Sequence, residues 1–208
     1  MKLTGESKLL LGILAATVAI IGIAVFFFSK PPTSLKPIAR DELAPVDSYS
    51  IGNASASAYL VEFSDFQCPA CRAFAPVVEE LASTYADKLF VVYRHYPLSQ
   101  HTYAKPAAMA AEAAGEQGKF WEMTNLLFEN QDRFSATPWS ALADELKLDR
   151  VKFDAALNSQ EIKAKIDRDE RAAFQLKLPG TPSFFLNGVR LEVASPLDLK
   201  TIVEKGVQ

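Results

Sequence analysis

The stretch DFQCPACRAF, Asp65 to Phe74, contains both cysteines of the 208-residue chain, with Pro69 and Ala70 between Cys68 and Cys71. Two thiols at this spacing suit half of a metal claw, a tight structural bridge or a dithiol that exchanges electrons. The flanking sequence separates these uses. Upstream, Ala58 to Phe63 (AYLVEF) is a short apolar, partly β-branched run that reads as a buried strand. Downstream, Phe74, Val77, Val78, Leu81 and Tyr85 recur at helical spacing, so an amphipathic helix starts at Pro69, with a kink expected at Pro76. Cys68 thus falls at a strand-to-helix junction, and Pro69 takes the first helical position, where proline is favoured. The unpaired N–H groups and the positive end of the helix dipole face the Cys68 sulfur and favour its thiolate, the attacking form. Cys71 follows one turn later on the same face, close enough to resolve a mixed disulfide.

The other two uses are weaker. Zinc wants four ligands, and Cys68 and Cys71 supply two. The only histidines, His95 and His101, are separated from them by a whole helix and strand, far more than a finger's loop. No metal is expected; His95 reads as a strand residue and His101 as a loop or helix-start residue, neither catalytic. An inert bridge closing so short a loop removes little chain entropy and stabilises weakly.

Beyond the motif, Lys88 to Tyr96 (KLFVVYRHY) reads as a second strand. Some seventy residues of helical pattern follow: Ala104 to Glu116, Phe120 to Glu129, Trp139 to Leu146 behind a Thr137-Pro138 start, Asp149 to Leu157, and Gln160 to Phe174. PGTPSFFLNGVRLEV then reads as strand, turn and strand, with Asn187-Gly188 in the type I′ hairpin position. Pro182 leads that strand, where proline is tolerated, and X–Pro is the common site for a cis bond. Ser195-Pro196 opens a last helix. The order is α/β with a helical insertion at about residues 102–175.

The N-terminus departs from this composition. Leu9 to Phe28 is a run of twenty residues without a charge, flanked by Lys8 and Lys30. At 1.5 Å per residue it spans about 30 Å, the thickness of a bilayer core. It follows a tail of residues 1–8 and lacks an Ala-x-Ala pattern behind it, so an uncleaved anchor is expected over 9–28. Residues 29–50, rich in proline, read as an extended tether, and the globular domain is expected from 51 to 208. The charges flanking the anchor do not fix its orientation; the chemistry of the cysteines favours the domain lying outside the cytoplasm. The formal net charge of -3 offers no basic face for nucleic acid, and two cysteines cannot staple a domain of this size.

FSDFQCPAC followed by GTPSFFLNG resembles the DsbA-type thiol-disulfide oxidoreductases of the thioredoxin-fold superfamily, over about Ser50 to Val207. The resemblance implies a thioredoxin fold with an inserted helical domain, preceded here by one transmembrane helix. It implies that Cys68 is the exposed nucleophile and Cys71 the buried resolving thiol of a Cys68–Cys71 redox disulfide. It makes Thr181-Pro182 a cis-proline loop beside the cysteines, where substrate backbone pairs. Glu62 matches a buried acid that tunes proton transfer, and Asp65 an acid common before the motif, which also complements the helix N-terminus. The family needs no cofactor. Implied partners are thiol-containing exported proteins and a DsbB- or VKOR-like membrane reoxidant; absence of a dimerisation module implies a monomer. The Pro-Ala dipeptide departs from the Pro-His of DsbA and the Gly-Pro of thioredoxin. Ala70 has no side-chain donor, so stabilisation of the thiolate is expected from the helix end and backbone N–H groups. Thr181 stands where DsbA has valine and does not separate oxidation from isomerisation; the missing dimerisation module favours a monomeric oxidase that donates its disulfide, with a reductase, an isomerase or a non-catalytic tethered binding module as the alternatives.

Overall fold

The computed structural model describes residues 13–22, 37–135 and 139–207. The chain divides into two units, Met1–Lys36 and Pro37–Gln208. In the first, residues 13–22 are helical, and the Thr17 hydroxyl donates to the Ile13 carbonyl at 2.9 Å. Among the described residues no helix is long and apolar enough to cross a membrane. The tail 1–8, the rest of the run 9–28, the tether's first residues 29–36 and the Thr137-Pro138 helix start lie outside the described residues.

The second unit begins at Pro37, earlier than the boundary expected at 51. Residues 40–43, expected within an extended tether, form the short helix α1 (Arg40–Leu43). Leu43 is wholly buried in a cluster with Phe63, Phe185 and Ala173. The Ile38 N–H donates to the Gly188 carbonyl at 2.9 Å, and Arg94 Nη1 donates to the Leu43 carbonyl at 2.7 Å. Burying Leu43 alone contributes about 1.5–3 kcal/mol, which outweighs the local preference of a proline-rich segment for an extended path.

Strand β1 (Ser50–Gly52) follows, then β2 (Ala58–Ser64), α2 (Pro69–Thr84) and β3 (Leu89–His95). Among the described residues five helices fill the interval before the next strand: α3 (Ala104–Gly115), α4 (Phe120–Glu129), α5 (Trp139–Glu145), α6 (Arg150–Ala156) and α7 (Gln160–Gln175). A 3-10 turn, Gln131–Arg133, follows α4. The chain closes with β4 (Ser183–Leu186), β5 (Val189–Arg190) and α8 (Pro196–Gly206). Asn187 and Gly188 have φ of 51° and 84°, as a type I′ hairpin requires. Asp149, Ser159 and Ser195 cap α6, α7 and α8 by accepting first-turn N–H bonds.

The sheet order is β1-β3-β2-β4-β5, with β2 and β3 parallel and the other pairs antiparallel. β1 is a three-residue edge, too short to announce itself by periodicity. β2 is central and buried along its whole length, which is why it reads as a continuous apolar run rather than an alternating one. One sheet face packs Leu60 and Phe184 against Phe74, Leu81, Leu199 and Val203 of α2 and α8. The other packs Val61, Phe63 and Phe185 against α1 and the end of α7.

The insertion has its own core around α3, whose alanines at 107, 108, 110, 111, 113 and 114 are all buried. Small side chains let the neighbouring helices approach closely. This core also takes in Phe66, Cys68 and Cys71, so the motif sits on the seam between sheet and insertion. Buried charges cross the same seam. Arg94 of β3 pairs with Asp169 of α7 at 2.8 Å, both about 1% exposed. His95 meets Glu112 at 2.9 Å, and Lys165 reaches the same carboxylate at 2.8 Å.

Candidate active site

Cys68 is the N-cap of α2, in extended conformation, and Pro69 holds the first helical position. Both cysteines are free thiols in this structure. Cys68 retains 7% of its surface and Cys71 none. Cys68 therefore keeps more surface than Cys71, yet is more enclosed than an exposed nucleophile implies. The apolar residues at 74, 78 and 81 pull α2 onto the sheet, and this sets Cys71 one turn below Cys68, facing inward.

The Cys68 thiol is drawn down from 9.0 to about 5. A hydrogen bond from the Cys71 thiol contributes most; burial opposes it; Thr181 and the backbone N–H groups of Cys71 and Ala70 add further stabilisation. The expectation from Ala70 therefore holds for the backbone groups, but the largest donor is the partner cysteine. Cys71 moves the other way, well above its ordinary value, because it is desolvated, hydrogen-bonded to the Cys68 sulfur and close to the Glu62 carboxylate. The Asp65 N–H donates to the Cys71 sulfur at 3.5 Å. At neutral pH the site is a thiolate at Cys68 held by a thiol at Cys71.

The Thr181–Pro182 bond is cis, and the loop lies against the motif: the Cys68 thiol donates to the Thr181 carbonyl at 3.4 Å. Once Cys68 ionises it can no longer donate. The buried Thr181 hydroxyl, which has no other partner, is then the donor on hand.

Glu62, in the middle of β2, is buried and its carboxyl rises from 4.5 to about 7, chiefly through desolvation, with the Cys68 thiolate adding to the rise. Its Oε1 has no protein partner, nor have the Tyr93 hydroxyl and Thr124 Oγ1. All three residues line one cavity of about 70 Å³ between β3, α2 and α4, room for a few waters. Asp65 turns elsewhere. Its carboxylate accepts from the N–H groups of Gln67 at 2.7 Å and Leu98 at 2.9 Å, and meets the His101 ring at 2.7 Å. Asp65 staples the loop before Cys68 to the loop after β3, and none of these carboxylate hydrogen bonds goes to either sulfur.

His95 and His101 are thereby committed to Glu112 and Asp65. Among the described residues no group of histidine, cysteine, aspartate or glutamate is placed to hold a metal ion. Gln131 escaped the sequence reading. It is buried in the 3-10 turn of the insertion, and its Nε2 donates to the carbonyls of Phe66 at 2.7 Å and Cys68 at 3.0 Å. A glutamine just past an amphipathic helix carries no pattern that marks it. Arg94 and Asp169, far apart in sequence, were equally silent.

Fold and site together define a thioredoxin-type dithiol protein. A thioredoxin family model matches residues 45–205, and the chain belongs to that family. Among solved structures it is similar to the thiol-disulfide exchange protein alpha-DsbA2 of Wolbachia pipientis, with a TM-score of 0.71 and 19% identity over 80% of this chain and 90% of that one. A thioredoxin-like oxidoreductase from Silicibacter pomeroyi gives 0.67 and 26% over 81% and 97%. Among curated proteins, the Na(+)/H(+) antiporter NhaA 1 of Mycolicibacterium vanbaalenii is 34% identical over 86% of this chain. The chain spans 30% of that relative's length, and the relative's name describes the whole protein.

Proposed function

We propose that the protein is a thiol-disulfide oxidoreductase that donates the Cys68–Cys71 disulfide to exported proteins, tethered to the outer side of a membrane by residues 9–28. The observation that carries the reading is the pairing of a Cys68 thiolate, lowered to about 5, with a buried Cys71 thiol kept protonated one turn away. A substrate thiolate attacks Cys68 Sγ in the oxidised enzyme, and the Cys68–Cys71 bond breaks. Cys71 leaves as a thiolate and takes a proton, for which Glu62, poised near pH 7, is the neighbouring donor. The second substrate thiolate then attacks the substrate sulfur of the mixed disulfide and expels Cys68 as a thiolate. Two electrons pass from substrate to enzyme. The substrate backbone pairs beside Thr181-Pro182. The reduced enzyme, acting as a monomer, returns its two electrons to a quinone-linked membrane partner of the DsbB or VKOR type.

Two measurements on the purified domain test this. Cys71→Ala, supplied with an oxidised peptide, should accumulate a mixed disulfide through Cys68, and Cys68→Ser should trap nothing; trapping by the serine variant would overturn the mechanism. The reduction potential separates a donor from a reductase or isomerase using the same site. A value near that of thioredoxin, about -270 mV, would refute donation, whereas DsbA lies near about -120 mV.

A further inference from the structure

Gln131 belongs to the insertion, yet both hydrogens of its amide are spent on the motif. A side-chain amide offers two donors, and those of Gln131 go to the carbonyls of Phe66 and Cys68, at 2.7 and 3.0 Å. The first carbonyl closes the approach to the motif. The second stands on the same Cα as the nucleophilic side chain and also accepts the Arg72 N–H at 3.2 Å as α2 begins. Gln131 is 8% exposed, so little water competes for these bonds. Each carbonyl oxygen carries partial negative charge, one on the nucleophile's own residue and one two residues before it, and a donor on that oxygen draws the charge away. The next residue reinforces the attachment: Asp132 bonds Arg72, the neighbour of Cys71, at 2.6 Å.

We propose that Gln131 is the positioning residue through which the helical insertion sets the reactivity of Cys68, by fixing the turn before α2 and screening its two carbonyl oxygens from the thiolate. The proposal rests on the reading of Cys68 as the attacking thiol, but its test is the ionisation of that thiol and not the turnover of any substrate. Without the amide, the two oxygens lose their screen and the thiolate is destabilised. The reduced form then loses part of its advantage, and the protein becomes a weaker oxidant.

The experiment is a pH titration of Cys68 by its rate of alkylation with iodoacetamide, in the wild type and in Gln131→Leu and Gln131→Glu. The potential is read in parallel against glutathione. Leucine matches the size and removes the donors; the Cys68 midpoint should rise by about half a unit to one unit, a threefold to tenfold loss in ionisation constant. Glutamate places a carboxylate against the same oxygens, so its midpoint should lie above that of leucine. The potentials should fall in the same order. If either variant is folded and titrates with the wild-type midpoint and potential, Gln131 is only a brace and the proposal fails. Should the leucine variant not fold, the glutamate variant and Gln131→Met decide by the same midpoint; failure of all three to fold would make the amide a stability device and would also overturn it. Absence of disulfide donation by the wild type, with the midpoint shifts of the variants intact, would instead count against the proposed function and leave the role of Gln131 standing.

Discussion

Replacing Cys71 by alanine tests which donor holds the Cys68 thiolate. The Cys71 thiol is the largest contributor to lowering Cys68 to about 5, ahead of Thr181 and the α2 backbone N–H groups. A hydrogen bond to a charged group contributes about 1.5–3 kcal/mol, and one pKa unit corresponds to about 1.4 kcal/mol. Alanine should therefore raise Cys68 by about one to two units. Cys71→Ser keeps a donor of similar reach, so most of the depression should survive. The assay is the ultraviolet absorbance of the thiolate, followed from acid to alkaline pH in each variant. Neither variant has a second thiol to confuse the reading, since Cys68 is then the only cysteine. If Cys71→Ala still titrates near 5, the helix terminus and Thr181 suffice, and the inter-thiol bond is not what sets the nucleophile.

Glu62 should leave a mark on stability. Its folded value of about 7 lies above its ordinary 4.5, so its favourable protonated contribution is complete below pH 4.5 and is lost as pH rises through 7. Relative to Glu62→Gln in the same redox state, the wild type should lose about 3 kcal/mol across that window, read from denaturant midpoints; parallel pH profiles would refute the burial argument. Asp169→Ala leaves the Arg94 guanidinium buried without its partner, since both side chains are about 1% exposed. That should cost about 3–5 kcal/mol in the same denaturant experiment, and a loss under 1 kcal/mol would show that Arg94 finds water instead.

The motif and most of the fold were legible because their signals are local. The apolar run at Ala58 to Phe63, the helical spacing after Pro69 and the Asn187-Gly188 turn each state a conformation within a few residues. Residues 37–50 depart from the extended path expected of a tether for the opposite reason. The prolines before α1 speak locally for an extended path, while the burial of Leu43 against β2, β4 and α7 is a tertiary fact. The site divides in the same way. Cys68, Cys71 and the Thr181-Pro182 loop announce themselves, whereas Gln131, Tyr93 and Thr124 matter only through what folding sets beside them. Asp65 shows the limit of spacing as a guide: it sits three residues before Cys68, yet its carboxylate serves Gln67, Leu98 and His101.

The direction of electron flow follows from the same ionisation, and it predicts a bend in the potential. With Cys68 at about 5, the thiolate is favoured by about two units at pH 7. That stabilises the reduced dithiol by about 2–3 kcal/mol before screening at a partly open sulfur, and by about 30–50 mV in potential after it. Stabilising the reduced form makes the disulfide the better oxidant, which is the sense donation requires. The proton count then depends on pH. Above about 5, reduction yields one thiolate and one thiol and takes up a single proton, because Cys71 stays protonated. Below that value both sulfurs end as thiols and two protons enter. For a two-electron couple each proton contributes about 30 mV per pH unit, so the potential should fall by about 60 mV per unit below the midpoint and about 30 mV above it. Glu62 would add a second bend near 7, since its carboxyl responds to the Cys68 charge, and the titration is cleanest in Glu62→Gln. One unbroken slope of about 60 mV per unit across neutral pH would mean that Cys68 is a thiol there, and the argument for disulfide donation would lose its foundation.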